Sequence, residues 1–221
     1  MLNRKKTGFI IPLAWPETYC KQAGAWYDGL MNTLGFAKDH YYKVGHAALV
    51  LIDGSNGTCH YFDFGRYHAP FGHGRVRNAE TDHDLNIPIK AQINENQILN
   101  FNKIIDFLEN NEACHGTGSI KATYCEIDFE NAMQKALQLQ EQSPIIYGPF
   151  VWHGTNCSRF VRSVALAGKP SFQNWLRLFF PLTVSPTPYW NVKAVVFPKK
   201  KTQYLENVYY GEYRKVKNYP C

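Results

Sequence analysis

Apolar runs and polar breaks along the chain predict several β-strands. Residues 8–14 and 44–52 are mostly apolar and have the length of buried strands. A turn-forming cluster at residues 53–57 follows the second run, and a strand pattern resumes over 58–64, so the sequence predicts a β-hairpin there. Two later segments with strand character lie at 119–127 and 192–197.

Apolar residues spaced three and four apart predict helices between these strands. The predicted helices run from Glu17 to Leu34, from Asn94 to Asn110, from a cap at Asp128 to about Glu141, and from Cys157 to Gly168. Residues 65–86, which are rich in Gly, His and Arg, are predicted as a long loop. The expected fold class is α+β, with an antiparallel sheet and its helices packed on one side.

The composition fits one globular domain. The chain has 221 residues, of which 45% are hydrophobic and 15% aromatic, so it can bury a sizeable core. Its net charge of +6 is not gathered into the basic stripe of a dedicated nucleic-acid binder, so no nucleic-acid partner is expected. The sequence contains no run of ~18 apolar residues, so no membrane span is predicted. The aromatic stretch 175–182 leaves peripheral lipid contact open beside simple core packing.

The N-terminal residues resemble a signal peptide only superficially. Basic residues at 4–6 precede an apolar segment, but Pro12 and Pro16 interrupt it and no small-residue cleavage site follows. We expect a first strand there instead. The expected location is therefore cytoplasmic, or outside the producing cell after delivery by a non-classical secretion route.

Cysteines and histidines give no sign of a metal centre. The six cysteines are scattered and form neither Cys-x-x-Cys pairs nor a dense disulfide framework. We expect most of them to be reduced and buried. The histidines lack the His-Glu-x-x-His spacing of a zinc site, so neither a metal nor another cofactor is expected. The cysteines are Cys20, Cys59, Cys114, Cys125, Cys157 and Cys221.

The sequence around Cys157 sets this cysteine apart from the others. Thr155 and Asn156 are both good N-cap residues, and an apolar helical pattern follows them. A thiol at a helix N-terminus lies at the positive end of the peptide dipoles, which favours the reactive thiolate. A buried, unreactive cysteine is the alternative, because most lone cysteines pack as small hydrophobic residues.

A histidine near the start of the 44–52 strand is the candidate partner of Cys157. His46 shares its strand face with apolar residues, so it is either a buried core histidine or a general base. A third polar group would orient its ring, and His60 and Asp63 on the second hairpin strand are the candidates. They lie on opposite strand faces. A two-residue turn brings Asp63 beside His46, whereas one extra bulged residue brings His60 there.

Three short strings together resemble the circularly permuted NlpC/P60 branch of the papain-like superfamily. They are Gly45-His46-Ala47, Cys59-His60-Tyr61 and Asn156-Cys157-Ser158-Arg159-Phe160-Val161. The last string is similar to the nucleophile motif of lecithin retinol acyltransferase-like proteins. In that branch the histidine strands also precede the cysteine helix.

This resemblance implies a permuted papain-like fold, in a bacterial member of the branch, with Cys157 as nucleophile, His46 as base and His60 as the orienting residue. The longer hairpin turn here keeps Asp63 as the alternative third residue. The chain is expected to be one domain over 1–221. It would carry an elaboration around 65–143 and a basic, tyrosine-rich C-terminal extension at 198–221.

The resemblance also implies a cysteine-dependent hydrolase that cleaves an amide or acyl bond through an acyl-enzyme on Cys157. Acyl transfer from a lipid or thioester is one alternative, and a non-catalytic binding module that keeps the fold is another. The branch spans peptidoglycan amidases, acyltransferases and phospholipases. The expected partner is therefore a small peptide or acyl substrate.

Three arginines in the predicted loop are candidates for substrate binding: Arg66, Arg75 and Arg77. Asn156, which precedes the candidate nucleophile, is a fourth candidate. Arginines in a cleft wall can grip a carboxylate or phosphate. The alternative is a solvated loop in which they pair with neighbouring acidic residues, namely Glu80, Asp82 and Asp84.

Overall fold

A computed structural model describes residues 6–22, 28–33, 37–38, 41–181, 183, 185–195 and 209–210. Most of the predicted C-terminal extension, 198–221, therefore lies outside the described residues, as does Cys221. Among the helices of the described part of the chain, none has both the length and the hydropathy needed to cross a membrane.

The described strands and helices alternate irregularly along the chain. The strands are β1 (Gly8–Trp15), β2 (Tyr19–Lys21), β3 (Ala37–Lys38), β4 (Tyr41–Lys43), β5 (His46–Asp53), β6 (Cys59–Gly65), β7 (His73–Arg77), β8 (Ile93–Asn94), β9 (Gln97–Ile98), β10 (Lys121–Ala122), β11 (Cys125–Ile127), β12 (Ile145–Ile146) and β13 (Tyr209–Tyr210). The helices are α1 (Asp28–Thr33), α2 (Phe101–Asn110), α3 (Phe129–Glu141), α4 (Cys157–Ala167), α5 (Phe172–Phe179) and α6 (Pro188–Ala194), with a 3-10 turn at His83–Leu85.

One antiparallel sheet forms the centre of the described structure. Its strands follow the order β12-β7-β6-β5-β1-β10-β13, and β11 also pairs with β1. Strand β1 lies inside the sheet, with β5 on one edge and β10 and β11 on the other. It is buried along its whole length. The antiparallel sheet and the strands predicted over 8–14, 44–52 and 58–64 are thereby confirmed.

Helices pack on both faces of this sheet, so the prediction of helices on one side is wrong. On one face, α2 packs against Ile11 of β1 and Val50 of β5. On the other face, α4 packs against Ile10 and Leu49 of the same two strands. The physical reason is that β1 and β5 are apolar at nearly every position rather than alternately, so both faces need cover.

The hairpin between β5 and β6 decides which polar side chains face His46. Ala48 lies opposite Asp63, and Leu51 lies opposite His60. Directly opposed residues share a sheet face, and His46 shares its face with Ala48. Asp63 therefore lies on the His46 face and His60 on the other, as the unbulged hairpin predicts.

Several element predictions are wrong in their bounds. The helix predicted from residue 94 begins at Phe101, because residues 93–98 form the small β8–β9 hairpin around Glu95, whose φ is 51°. The predicted loop 65–86 contains β7, which pairs with β6 and β12. The predicted strand 119–127 is interrupted where Tyr124 packs between Phe9 and Phe101.

Two further segments adopt another structure than predicted. The segment predicted as a helix from Glu17 contains β2, which pairs with β4, and among its described residues those of α1 are helical. Residues 192–194 of the predicted strand 192–197 belong to α6. That helix is favoured by Pro188 at its start and by Thr187, whose hydroxyl accepts the amide of Trp190 at 3.1 Å.

Candidate active site

The start of strand β5 places His46 in the interior. Gly45 precedes it with φ 77°, a left-handed conformation that favours glycine, and a Cβ there would lie 2.9 Å from the carbonyl oxygen of Trp15. Trp15 is also the β1 partner of His46, and their ring centroids are 5.7 Å apart. His46 is only 3% exposed, so its polar contacts must come from the protein.

The first turn of helix α4 places Cys157. Asn156 is the N-cap, as predicted together with Thr155, and its side-chain oxygen accepts the amide of Arg159 at 2.8 Å. The Asn156 amide nitrogen also donates to the Ser185 hydroxyl at 3.2 Å. Cys157 is 5% exposed and packs with the apolar face of α4 against the sheet. The helix start predicted from the sequence is therefore confirmed.

His46 and Cys157 are in contact at the start of β5, although the rest of α4 packs on the sheet face opposite to that of Ala48. Burial disfavours a charged imidazole, but the nearby Asp63 carboxylate and the contact with Cys157 outweigh burial and raise the pKa of His46 to about 10. The structure thus brings together the two side chains, His46 and Cys157, that the sequence analysis paired.

Asp63 is the carboxylate beside His46. Its Oδ2 lies 3.6 Å from His46 Nε2, and the side chain is fully buried. Arg77 lies opposite Asp63 on β7 and holds it with two hydrogen bonds, Nε to Oδ1 at 3.0 Å and a terminal nitrogen to Oδ2 at 2.6 Å. Although burial opposes ionisation, these partners keep the pKa of Asp63 well below its usual range. Asp63 is therefore a carboxylate at neutral pH.

His60 does not orient His46, which corrects the role that the family resemblance implies. It lies opposite Leu51 on the other sheet face, and its ring centroid is 5.8 Å from that of Phe129 at the start of α3. Burial lowers the pKa of His60. The physical reason is the strand period of two, which separates the faces of His60 and Asp63 in an unbulged ladder.

Two tyrosines complete the polar cluster, and sequence reasoning missed both. Tyr67 has its hydroxyl 3.3 Å from His46 Nε2 and 3.3 Å from Asp63 Oδ2. Tyr61 donates to the same Asp63 oxygen at 3.2 Å. Tyr61 was detectable, because it lies two residues before Asp63 and hence on the same strand face. Tyr67 follows the end of β6, where no periodicity applies.

The three predicted substrate-binding arginines have different environments. Arg77 is buried against Asp63 and supports the site from within. Arg75 forms a two-bond pair with Asp82 at 2.9 Å, which is the acidic pairing foreseen as the alternative to substrate binding. Arg66 lies over the ring of Tyr147, with 5.4 Å between its guanidinium carbon and the ring centroid. Arg66 also lines a cavity of about 450 Å³ beside Tyr67 and His115.

Cys157 opens onto a second cavity of about 210 Å³. Asn156, Ser158 and Ser185 are polar residues of its wall, and the Ser158 hydroxyl lies 4.0 Å from the Cys157 sulfur. Cys20 lines the same cavity and is 7% exposed, close to the exposure of Cys157. The remaining described lining residues are mostly apolar: Tyr42, Val44, Gly45, Tyr147, Pro149, Phe150, Pro186, Thr187 and Pro188.

The other cysteines of the described structure differ in surroundings from Cys157. All five described cysteines are free and buried. Burial raises the pKa of Cys125 and of Cys114 to about 12, and that of Cys59 to about 11, so these three thiols are protonated at neutral pH. Within the described residues, no group of three or more His, Cys, Asp and Glu side chains is arranged to hold a metal ion.

Comparisons with known proteins give a family model that matches most of the chain and a solved structure with a similar fold. The family model of type VI secretion system effectors similar to TseH matches residues 10–173. A crystal structure of the type VI secretion system effector TseH is similar to this chain with a TM-score of 0.53 and 18% identity, over 86% of this chain and 88% of that one, which indicates a shared fold. No curated protein sequence matches significantly. Because the matched residues span most of the chain and include His46, Asp63 and Cys157, the chain belongs to the type VI secretion system effector TseH-like family.

Proposed function

We propose that the chain is a cysteine-dependent hydrolase with a permuted papain-like, NlpC/P60-type fold. The observation that carries the proposal is that Cys157, His46 and Asp63 meet in one buried site, although they come from three separate elements. The order of elements also fits, since the β5 and β6 strands precede the α4 helix. Each residue type has a matching role in thiol catalysis: nucleophile, base and orienting carboxylate.

The proposed reaction begins from Cys157 as a thiolate beside protonated His46, because the raised pKa of His46 places the proton on the imidazole at neutral pH. Nε2 of His46 faces Asp63 and Tyr67, so Nδ1 is the nitrogen left for the sulfur. The thiolate attacks the carbonyl carbon of an amide, ester or thioester. The resulting oxyanion is bound by the first backbone amides of α4, at Cys157 and Ser158.

The intermediate then collapses in the usual two stages of acyl transfer. The carbon–nitrogen, carbon–oxygen or carbon–sulfur bond breaks, and the leaving group takes the proton held by His46. The acyl group remains on Cys157 as a thioester. Water attacks it, gives a proton to His46 and releases the carboxylic acid and the thiol. Another nucleophile in place of water would make the protein an acyltransferase.

The cavity supports a small peptide or acyl group as the substrate. Its described lining offers apolar surface for such a group and a few polar atoms near the sulfur. Asn156 serves this site by capping α4, while Arg66 at the other cavity is left as a candidate for contact with a substrate carboxylate. Membership of a type VI effector family supports delivery by that secretion machine, in agreement with the expected non-classical route.

Alkylation of individual cysteines tests the proposal without a known substrate. Cys20 is an internal control for reagent access, because it lines the same cavity with similar exposure. Iodoacetamide labelling followed by peptide mass spectrometry should show Cys157 reacting at least tenfold faster than Cys20 near neutral pH. The His46→Gln variant should lose this difference. Equal rates in the wild-type protein would favour a binding module over an enzyme.

Two substrate panels separate the remaining alternatives. Purified cell-wall peptide fragments and labelled phospholipids or thioesters should be incubated with wild-type protein and with Cys157→Ala. We expect one panel to be cleaved by the wild-type protein only, with the variant retaining its fold by circular dichroism. Cleavage by Cys157→Ala at the wild-type rate would exclude Cys157 as the nucleophile.

A further inference from the structure

The hydroxyl of Tyr67 lies between the two groups that would form the base of the site. It is 3.3 Å from both His46 Nε2 and Asp63 Oδ2, whereas these two atoms are 3.6 Å from each other. A direct bond at 3.6 Å is too long to be effective. A phenol can donate one hydrogen bond and accept others, so Tyr67 can donate to Asp63 while it accepts Nε2–H of His46.

We propose that Tyr67 is the positioning residue of His46: it connects Nε2–H to Asp63 and leaves Nδ1 directed at Cys157. This inference rests on the proposed function, because the orientation of His46 matters chemically only if Cys157 is a nucleophile. After His46 has protonated the leaving group it is neutral, and it must then present its unprotonated nitrogen to the water that attacks the acyl group on Cys157. Because the Tyr67 hydroxyl donates its proton to Asp63, it acts as an acceptor toward His46 and favours the tautomer with the proton on Nε2.

The surroundings of Tyr67 hold its hydroxyl in place. The guanidinium carbon of Arg77 lies 3.6 Å from the centroid of the Tyr67 ring, and the ring of His115 stacks at 5.0 Å with an interplanar angle of 30°. The backbone carbonyl of Tyr67 accepts the Arg75 Nε–H at 2.8 Å. Ring, backbone and hydroxyl are thus each fixed by a separate contact, which is what a positioning role requires.

Tyr61 provides a matched control within the same cluster. Its hydroxyl donates to the same Asp63 oxygen at 3.2 Å; its ring is buried, whereas Tyr67 is half-buried. Tyr61→Phe and Tyr67→Phe therefore each remove one hydroxyl from Asp63 and keep an aromatic ring. The variants differ in that the Tyr67 hydroxyl also contacts His46.

The titration of His46 reports on this contact directly. The ionisable groups facing His46 are Asp63 from β6, Cys157 from α4 and Tyr67 from the following loop, with Arg77 and His115 behind Tyr67. In nitrogen-15 NMR titrations, Tyr67→Phe should lower the midpoint of His46 by about one pH unit, since the imidazolium loses a hydrogen-bond acceptor. Tyr61→Phe should leave it near the wild-type value. Equal shifts in the two variants would overturn the proposal.

Two further measurements complete the test. In the Cys157→Ala protein, with both tyrosines present, neutral His46 should carry its proton on Nε2; a proton on Nδ1 would overturn the proposal even if Tyr67→Phe did not fold. In proteins with Cys157, iodoacetamide should react with Cys157 about tenfold more slowly in Tyr67→Phe than in Tyr61→Phe. If the alkylation rate of Cys157 does not depend on His46, the proposed function fails. The nitrogen-15 NMR measurement of the His46 tautomer still tests the Tyr67–His46 contact in that case.

Discussion

Arg77 and Asp63 form a buried ion pair directly across strands β6 and β7, on the sheet face that carries His46. The pair has two hydrogen bonds, at 3.0 Å and 2.6 Å, and the guanidinium also donates to the carbonyl of Ala113 at 3.1 Å. Burial would otherwise neutralise a carboxyl group. Arg77 thus keeps Asp63 ionised where an ionised group is needed to hold His46.

Removal of Asp63 should strongly destabilise the protein. Asp63→Ala leaves the buried Arg77 guanidinium without its carboxylate, which costs about 3–5 kcal/mol in comparable buried pairs. Asp82→Ala is the matched control, because it breaks the partly exposed Arg75 pair, and such pairs contribute about 1 kcal/mol or less. Urea unfolding of both variants measures the free energies. Similar small losses in the two would contradict a structural role for the Arg77–Asp63 pair.

Protein stability should decrease as the pH rises from neutral. The pKa of His46 is raised to about 10, whereas an unfolded histidine titrates near 6.5. Between these values the folded state retains a proton that the unfolded state has lost, so the stabilisation is complete below about 6.5 and disappears as pH rises through about 10. Urea unfolding from pH 6 to 10 should show this decline, and His46→Gln should flatten it. A decline of equal slope in His46→Gln would assign the effect to other groups.

Acid should remove the contribution of Asp63. Because its pKa is lowered in the folded state, its stabilisation is present above the unfolded value of about 3.9 and is lost as pH falls through the folded value. Asp63→Asn should therefore be less stable than the wild-type protein at pH 6, and the difference should shrink toward pH 2. Unfolding curves at fixed temperature measure it. A constant difference across this range would exclude ionised Asp63 as the cause.

The N-cap of α4 should affect both stability and thiol reactivity. Asn156→Ala removes the bond to the Arg159 amide and should destabilise the protein by about 1 kcal/mol. Asp128→Ala removes the corresponding cap of α3, where the carboxylate accepts the amide of Asn131. Both variants should lose stability, but only Asn156→Ala should slow the alkylation of Cys157. Slower alkylation in Asp128→Ala would indicate a global effect instead.

Alanine at Gly45 should displace His46. Gly45 and Gly72 have nearly equal positive φ values, 77° and 75°, so alanine costs about 1–2 kcal/mol of backbone strain at either. A Cβ at Gly72 meets no atom within 4 Å, whereas at Gly45 it meets the Trp15 carbonyl at 2.9 Å. Gly45→Ala should therefore be the less stable variant and should slow Cys157 alkylation. Matching results for the two glycines would show that the close contact with Trp15 has no consequence for the site.

The sequence by itself determined the elements that carry the proposed nucleophile and base. The continuous apolar runs of β1 and β5 and the Asn156 cap of α4 are local properties, and local periodicity and capping predict them. The sequence also offered two candidates for the third residue, His60 and Asp63. Strand parity places them on opposite faces, so at most one of them can face His46. The predicted bounds of helices and strands were wrong where local patterns compete. At Glu95 a positive φ makes a hairpin turn inside an apolar helical pattern. At Thr187–Pro188 an N-cap starts a helix where the apolar spacing predicts a strand.

Only the tertiary structure decided between Asp63 and His60 and supplied the groups around them. An unbulged β5–β6 ladder selects Asp63, and ladder register depends on how two strands pair rather than on either strand alone. Arg77 reaches Asp63 because β7 pairs with β6, and Tyr67 reaches His46 because the chain turns back after β6. Cys157 and His46 are more than a hundred residues apart and come into contact at the start of β5, although α4 packs on the sheet face opposite to that of Ala48. Such contacts between distant segments leave no periodic signal in the sequence, so the site is complete only in the folded chain.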